Sequence, residues 1–159
     1  MSDMESFTRL QPNSEMCFGC GRANPVGLYM KFRDDGVDRV CSEYTVAQRY
    51  QGYPGLVHGG VLATMLDEAV ARVSFIGDPH HFMMSVKLQV AFRHPVPVDT
   101  PLRVVGRIVK LRGRLGKAVG EVILPDGTVA AEAECTLADI PAALMDKTHL
   151  ALLAWRADP

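Results

Sequence analysis

One long helix, in a chain whose other regular segments alternate like β-strands, is the feature that most restricts the fold. From Gly59 to about Ile76, apolar residues recur at the spacing of one helix face. The helix is predicted to start after Gly59 and Gly60 without a good Ser, Thr or Asp cap, and Gly77-Asp78-Pro79 ends it. A second stripe of the same helix consists of Ala63, Asp67, Ala71 and Ser74. Its side chains are small apart from the Asp67 carboxylate, so another backbone could approach this face closely.

Alternating apolar residues on both sides of this helix predict about six strands. The predicted strands cover 28–32, 39–46, 86–92, 102–111, 118–124 and 128–138. Turn signals at Asp34-Asp35-Gly36 and Pro125-Asp126-Gly127 make hairpins of the first and last pairs. Because strands and helices do not alternate, we expect an α+β fold in which an antiparallel sheet curves around one central helix. The third strand is expected to have one apolar face: Val86, Leu88, Val90 and Phe92.

The chain divides into three parts on this interpretation. Residues 1–25 form an N-terminal tail that ends in a turn, and residues 26–140 form the domain. Residues 141–159 form an extension in which Pro141 opens a short C-terminal helix. The apolar residues of that helix are Leu144, Leu150, Leu152, Leu153 and Trp155.

Length and charge exclude several classes of partner. The chain has 159 residues, and 17 Lys and Arg against 18 Asp and Glu leave a formal charge of −1. One core of ordinary size fits this length. With no overall basic field and no apolar run of about 18 residues, neither a nucleic acid nor a membrane is expected as a partner. The first residues contain acids and no apolar leader segment, so a cytoplasmic location is expected.

The four cysteines are expected to be reduced thiols. Only Cys17 and Cys20 are closely spaced, so a four-thiolate zinc site would require Cys41 and Cys135 to converge on them. A thioredoxin-like role would need a strand before the pair and a helix after it, whereas Gly and Pro residues here indicate a turn. We therefore favour a tight loop with half-buried thiols, and expect no metal and no cofactor.

The segment that begins His58-Gly-Gly carries the chemistry. Two glycines at a helix start leave first-turn N–H groups accessible at the positive end of the helix dipole, where a carbonyl oxygen can bind. Asp67 is unusual because Asp is a poor helix former and its neighbours are small and apolar. The alternatives are a surface acid at Asp67, with Glu68 as the working carboxylate, and a plain loop histidine at His58.

Gly59 and Asp67 cannot serve one substrate within a single chain. Eight residues of helix separate them by about 12 Å, whereas each contact to a reacting carbonyl should be about 3 Å long. Two copies with antiparallel helices would bring the Gly59 end of one helix beside Asp67 of the other. The sequence therefore predicts a homodimer with two composite sites.

Three motifs resemble one known family. GYPGLVHGGVLATMLDEAV, followed by SVKLQVAFRHPVP and preceded by CFGCGRANPVGL, resembles the hotdog-fold acyl-CoA thioesterases of the PaaI-like, phenylacetate-pathway type, over about residues 17 to 139. The resemblance implies a sheet wrapped around a central helix, dimers that often pair into tetramers, and hydrolysis of acyl-CoA. It also implies that the Gly59 N–H binds the thioester carbonyl and that Asp67 of the opposite subunit is nucleophile or general base. Ser85 would help to position water, and His58 would orient the helix start.

The chain departs from the family at Gly52, where well-studied members have Asn, and the neighbouring Gln51 or Gln48 could supply the amide. Ser85 lies at the very start of its strand, so its direction is open, and a plain strand serine is the alternative. The basic segment from Lys110 to Lys117 either holds the phosphates of coenzyme A or is a solvated turn. Further expected substrate contacts are Gly60, Gln51, Glu68, Met84, Arg93, Arg112, Arg114 and Lys117.

Two other functions fit such a chain. A hotdog protein that binds acyl-CoA without hydrolysing it, such as a ligand sensor, is the main alternative. A hotdog dehydratase is less consistent with the sequence because those enzymes use a different Asp and His arrangement.

Overall fold

The computed structural model describes residues 9–145 and 154–157. That part of the chain has six strands: β1 (Arg33–Asp34), β2 (Arg39–Thr45), β3 (Met83–Phe92), β4 (Pro101–Arg112), β5 (Leu115–Ile123) and β6 (Val129–Asp139). They form a single antiparallel sheet in the order β1-β2-β4-β5-β6-β3. This architecture confirms the predicted α+β class and the sheet around one main helix.

The main helix, α1 (Gly59–Arg72), continues into a 3-10 turn over Val73–Phe75 and packs across β4, β5 and β6. Two strand glycines bring it close to the sheet. A Cβ atom at Gly106 would collide with the backbone of Ala69, and one at Gly120 would lie 3.1 Å from Val70 Cγ1. Glycine inside a strand often marks such a close approach. The helix buries Leu62, Met65, Leu66, Ala69, Val70 and Arg72.

The first predicted strand is wrong in its extent. Leu28, Met30 and Phe32 are buried as their alternation requires, yet the strand itself is only Arg33–Asp34. Tyr29 has φ 54, which interrupts an extended run. The backbone N–H groups of Leu28 and Met30 donate instead to the carbonyls of Phe18 and Gly19, so this segment pairs with the N-terminal loop.

The predicted apolar face of the third strand is also wrong at its start. β3 begins at Met83, and Ser85 pairs with Leu137 while Lys87 pairs with the next residue, Thr136, so Val86 is the extra residue of a bulge. Val86 is 57% exposed, whereas Leu88 packs against the core. Because a bulge shifts the alternation by one residue, Ser85 and Leu88 lie on the same face of the sheet.

Residues near both ends of the described chain surround the C-terminal end of α1. The buried Arg72 guanidinium donates to the Pro12 carbonyl and to Asn13 Oδ1, at 2.5 and 2.7 Å. Trp155 stacks at a tilt on Phe75, with ring centroids 5.0 Å apart. A helical turn follows Pro141 over residues 142–145, whereas Leu150, Leu152 and Leu153 lie outside the described residues. The three-part domain division stays a prediction.

The turn in the basic segment from Lys110 to Lys117 is shorter than expected. Lys110 and Arg112 lie in β4 and Lys117 lies in β5, so only Gly113 and Arg114 form the turn. Gly113 has φ 59, the left-handed conformation that such a tight turn requires. Nowhere in residues 9–145 or 154–157 is a helix long and apolar enough to cross a membrane.

Candidate functional site

The start of α1 is capped by a histidine, which corrects the expectation of an uncapped helix. His58 has extended backbone angles, and its Nδ1 accepts a hydrogen bond of 2.9 Å from the Gly60 N–H. The Val61 and Leu62 N–H groups donate to the His58 carbonyl. Within the described part of the chain, the Gly59 N–H has no hydrogen-bond partner, and Gly59 lines a cavity, so this N–H is the first-turn donor left for a ligand.

The Gly59 cleft is a cavity of about 780 Å³ beside this donor. The Phe92 ring forms one wall, since a Cβ atom at Gly59 would lie 3.5 Å from it. Leu62 and Val96 add apolar surface, while Gln51 and Arg93 are polar lining residues. An apolar chain can therefore lie along this cleft with a carbonyl group on the Gly59 N–H.

The loop before the helix holds His58 in place. The His58 N–H donates to the Tyr50 carbonyl at 3.1 Å, and Gln51 Oε1 accepts from the Gly55 N–H at 2.9 Å. A Cβ atom at Gly52 would lie only 3.2 Å from the His58 Cα atom. The residue at this position therefore packs directly on the helix start, and the absence of a side chain there leaves room for His58.

The Asp67 carboxylate is held by Ser85. The Ser85 hydroxyl donates to Asp67 Oδ1 at 2.7 Å, which settles the direction of Ser85 toward the helix. Both residues line the Asp67 groove, a cavity of about 460 Å³ between α1 and the bulged part of β3. Gly60 and Thr64 line the same groove. The bulge at Val86 is thus the backbone feature that aims Ser85 at the carboxylate.

A residue that the sequence analysis missed lies next to this pair. The Cys135 side chain is 4% exposed on β6, opposite Leu88 in the register with β3. Burial raises the pKa of Cys135, and the Asp67 carboxylate raises it further, against the effect of a hydrogen bond with Ser85. Cys135 is therefore a neutral thiol close to Ser85 and Asp67. No sequence signal would have found it, because its proximity depends on strand register.

Gly59 and Asp67 lie in different cavities of one chain. Gly59 lines the Gly59 cleft and not the Asp67 groove, whereas the reverse holds for Asp67. The antiparallel course of β3 past α1 explains the separation, because Phe92 borders the first cavity and Ser85 the second. One chain therefore holds the Gly59 N–H and the Asp67 carboxylate in two separate cavities.

Glu68 lies outside both cavities. Its Oε1 atom accepts from the Cys17 thiol at 3.3 Å, and its Oε2 atom is 3.4 Å from Arg72 Nε. Among the expected substrate contacts, Met84, Arg112, Arg114 and Lys117 also line neither cavity. Arg93 does line the Gly59 cleft, and it forms an ion pair of 2.5 Å with Glu132.

The cysteines are not arranged as a four-thiolate site. Cys41 lies on β2 beside Arg103, and Cys135 lies on β6, so neither approaches the Cys17 and Cys20 pair. The pKa of Cys17 is raised, first by its hydrogen bond with Cys20 and then by burial and Glu68. The pKa of Cys20 is lowered, chiefly by the same hydrogen bond, with a smaller contribution from Arg72. The pair is electrostatically asymmetric.

Comparison with known proteins gives matches over the site region. The sequence profile of the thioesterase superfamily matches residues 54–131. Acyl-coenzyme A thioesterase THEM4 from Bos taurus is 33% identical over 86 residues, which are 54% of this chain and 34% of that protein. An uncharacterised protein from Schizosaccharomyces pombe is 32% identical over 77 residues, 48% of this chain and 44% of that protein. The match thus spans less than half of the length of either relative.

Solved structures share the fold. A thioesterase superfamily protein of known crystal structure is 26% identical, with a TM-score of 0.69 over 79% of this chain and 61% of that chain. The PaaI protein of the E. coli phenylacetic acid degradation operon is 16% identical, with a TM-score of 0.63 over 72% and 81% of the two chains. Zebrafish thioesterase superfamily member 2 is also 16% identical, with a TM-score of 0.65 over 74% and 90%. The last two likenesses concern the fold alone.

Proposed function

We propose that this chain hydrolyses an acyl-CoA thioester to the free acid and CoA. Its match to the thioesterase superfamily over residues 54–131 and its hotdog fold support this proposal. The observation that carries the proposal is the pair of half-sites. One has an accessible N–H at Gly59 beside an apolar cleft, and the other has a carboxylate at Asp67 held by Ser85. Carbonyl polarisation and an oriented carboxylate are what thioester hydrolysis needs.

A homodimer built on β3 would complete each site. β3 is an edge strand of the sheet and exposes apolar side chains at Met84, Val86 and Phe92. An unpaired edge of this kind favours pairing with another strand. If two copies pair β3 antiparallel about a two-fold axis, the Phe92 end of one strand lies beside the Ser85 end of the other. The Gly59 cleft of one copy then adjoins the Asp67 groove of its partner.

In this arrangement the thioester carbonyl accepts a hydrogen bond from the Gly59 N–H. The positive end of the α1 dipole adds to the stabilisation of negative charge on the oxygen. Asp67 of the second copy either attacks the carbonyl carbon or takes a proton from the water that does. In the first route the Asp67 carboxylate forms a mixed anhydride with the acyl group as the C–S bond breaks, and water then hydrolyses the anhydride to the free acid and Asp67. In the second route water forms the new C–O bond directly while Asp67 takes its proton, and the C–S bond breaks. In both routes the CoA sulfur leaves and takes up a proton that comes from the water.

The position of Ser85 gives it an orienting role in this chemistry. Its hydroxyl binds one oxygen of Asp67, which leaves the other oxygen for water or substrate. The acyl group would lie against the apolar lining at Leu62, Phe92 and Val96. We propose that Arg93, which lines the Gly59 cleft, contacts a CoA phosphate there. Binding of phosphates by Arg112, Arg114 and Lys117 stays a prediction.

The direct test is release of free thiol from a panel of acyl-CoA substrates that includes aryl and medium-chain acyl groups. We expect saturable, enzyme-dependent release from at least one class, with the preferred acyl group reporting the fit of the Gly59 cleft. Equilibrium binding of the same compounds is measured in parallel. Saturable binding without thiol release would contradict the proposal and would indicate a non-catalytic acyl-CoA-binding protein.

The role of the Gly59 N–H can be isolated with Gly59→Pro. His58 has φ −62 and ψ 135, a conformation that suits a residue before proline, and the first helical position accepts proline readily. The substitution therefore removes the N–H with little disturbance, and we expect kcat to fall about 10²- to 10³-fold. Gly59→Ala is the matched control, because it keeps the N–H and its Cβ meets Phe92 at an ordinary 3.5 Å. Equal losses in the two variants would contradict the donor role.

A further inference from the structure

Cys17, Cys20 and Glu68 form a cluster of three metal-binding side chains that the proposed hydrolysis does not use. The two sulfurs and a Glu68 carboxylate oxygen all lie within 4.8 Å of one another. Cys17 and Cys20 come from the N-terminal loop, whereas Glu68 comes from α1, about 100° around the helix from Asp67, and lines neither of the two cavities. We propose that this cluster, the loop-helix thiolate site, binds a single Zn²⁺-type cation that ties the N-terminal loop to the helix.

The distances suit a tetrahedral ion. Zinc lies about 2.3 Å from thiolate sulfur and about 2.0 to 2.2 Å from carboxylate oxygen, so ligand atoms around it are roughly 3.5 to 3.8 Å apart. Cys17 Sγ and Glu68 Oε1 are already 3.3 Å apart. The remaining contacts need shifts of about 1 Å or less, which side-chain rotation supplies. The fourth position is filled by water from the half-exposed side of Cys17.

The loop is held in this shape before any ion binds. The Gly21 N–H donates to the Cys17 carbonyl at 2.7 Å, and the Cys17 N–H donates to Ser14 Oγ at 3.2 Å. A Cβ atom at Gly19 would collide with the Glu68 side chain, and one at Gly21 would collide with the Cys17 backbone. Glycines at these two positions are therefore what allow both sulfurs to approach the carboxylate.

The charges favour a divalent cation. Two thiolates and one carboxylate carry three negative charges. A divalent ion therefore leaves one net negative charge, which the positive charge of the Arg72 guanidinium balances. Arg72 contacts Glu68 Oε2, so the other carboxylate oxygen, Oε1, faces the two sulfurs. A residue outside the metal site often orients a metal ligand in this way. Sulfur ligands select zinc-like ions over magnesium and calcium. Binding displaces the thiol protons of the two cysteines, including the one that Cys17 now donates to Glu68, and releases them to solvent.

The test uses the full chain, reduced and freed of metal with a chelator, and titrated with Co²⁺ as a spectroscopic probe. We expect one equivalent to bind with a thiolate-to-metal charge-transfer band, and Zn²⁺ to displace it and raise Tm. Mg²⁺ should do neither. This readout does not depend on thioesterase activity, so it stands apart from the proposed function.

Variants identify the ligands. Cys17→Ser and Cys20→Ser should each abolish the two-thiolate band, and Glu68→Gln should weaken binding by at least about 10- to 100-fold. Cys41→Ser is the matched control and should bind as the wild type does, because Cys41 lies on β2 beside Arg103. No Co²⁺ band in the reduced wild-type protein would overturn the proposal without any need for a variant. A band that survives Cys17→Ser would overturn it as well.

Discussion

Replacing Asp67 with Asn is expected to lower kcat for acyl-CoA hydrolysis by about 10²- to 10⁴-fold. Asn has the shape of Asp and keeps an oxygen that accepts the Ser85 hydroxyl, so the geometry of the groove persists. The amide, however, can neither take a proton from water nor attack a carbonyl. Steady-state thiol release measures the loss, and thermal unfolding should show a Tm close to that of the wild type.

Glu43→Gln is a matched control for this substitution, since it also neutralises a carboxylate but lies exposed on β2, far along the sheet from β3. We expect its kcat to equal that of the wild type. Turnover by Asp67→Asn within about twofold of the wild type would remove Asp67 from the mechanism. Glu68 is a poor substitute on structural grounds, because its oxygens face Cys17 and Arg72.

The helix and most of the sheet followed from local patterns. The apolar stripe located α1 within a few residues, and the turn signal at Pro125-Asp126-Gly127 located the last hairpin, because helix periodicity and turn chemistry are properties of neighbouring residues. The bulge at Val86 was not predictable in this way. It is defined by pairing with β6, so alternation read from β3 alone assigned Val86 to the core.

For the site, the sequence indicated the helix start and the carboxylate but not how each is held. The cap at Gly60 comes from His58, a residue outside the usual capping set. The contacts of Cys135 and Glu68 are with residues far away in the sequence, so they depend on how the chain packs. The spacing of residues along the sequence does not predict such contacts. Even so, the rise of the helix was enough to predict that Gly59 and Asp67 lie too far apart to contact one carbonyl group within a single chain. In the structure they line two different cavities.

Mixing two inactive variants is expected to restore activity if the sites are shared between copies. In a dimer of one Asp67→Asn chain and one Gly59→Pro chain, one site combines both defects. The other combines the intact Gly59 of the first chain with the intact Asp67 of the second. Random mixing in equal amounts makes half of the dimers mixed, each with one working site of two, so about a quarter of wild-type activity should return. The assay is thiol release after joint unfolding and refolding.

The size of this recovery distinguishes the shared site from a site within one chain. Each variant alone retains at most about a hundredth of wild-type kcat by the estimates above, so a quarter is a rise of well over tenfold. A site confined to one chain predicts no rise at all, because every chain in the mixture carries a defect. Refolding each variant alone provides the baseline, and a mixture that stays at the mean of those baselines would contradict the shared site. Gly59→Ala keeps the N–H, so a mixture of Gly59→Ala and Asp67→Asn refolded in the same way should give about half of wild-type activity. This control checks that unfolding and refolding do no harm.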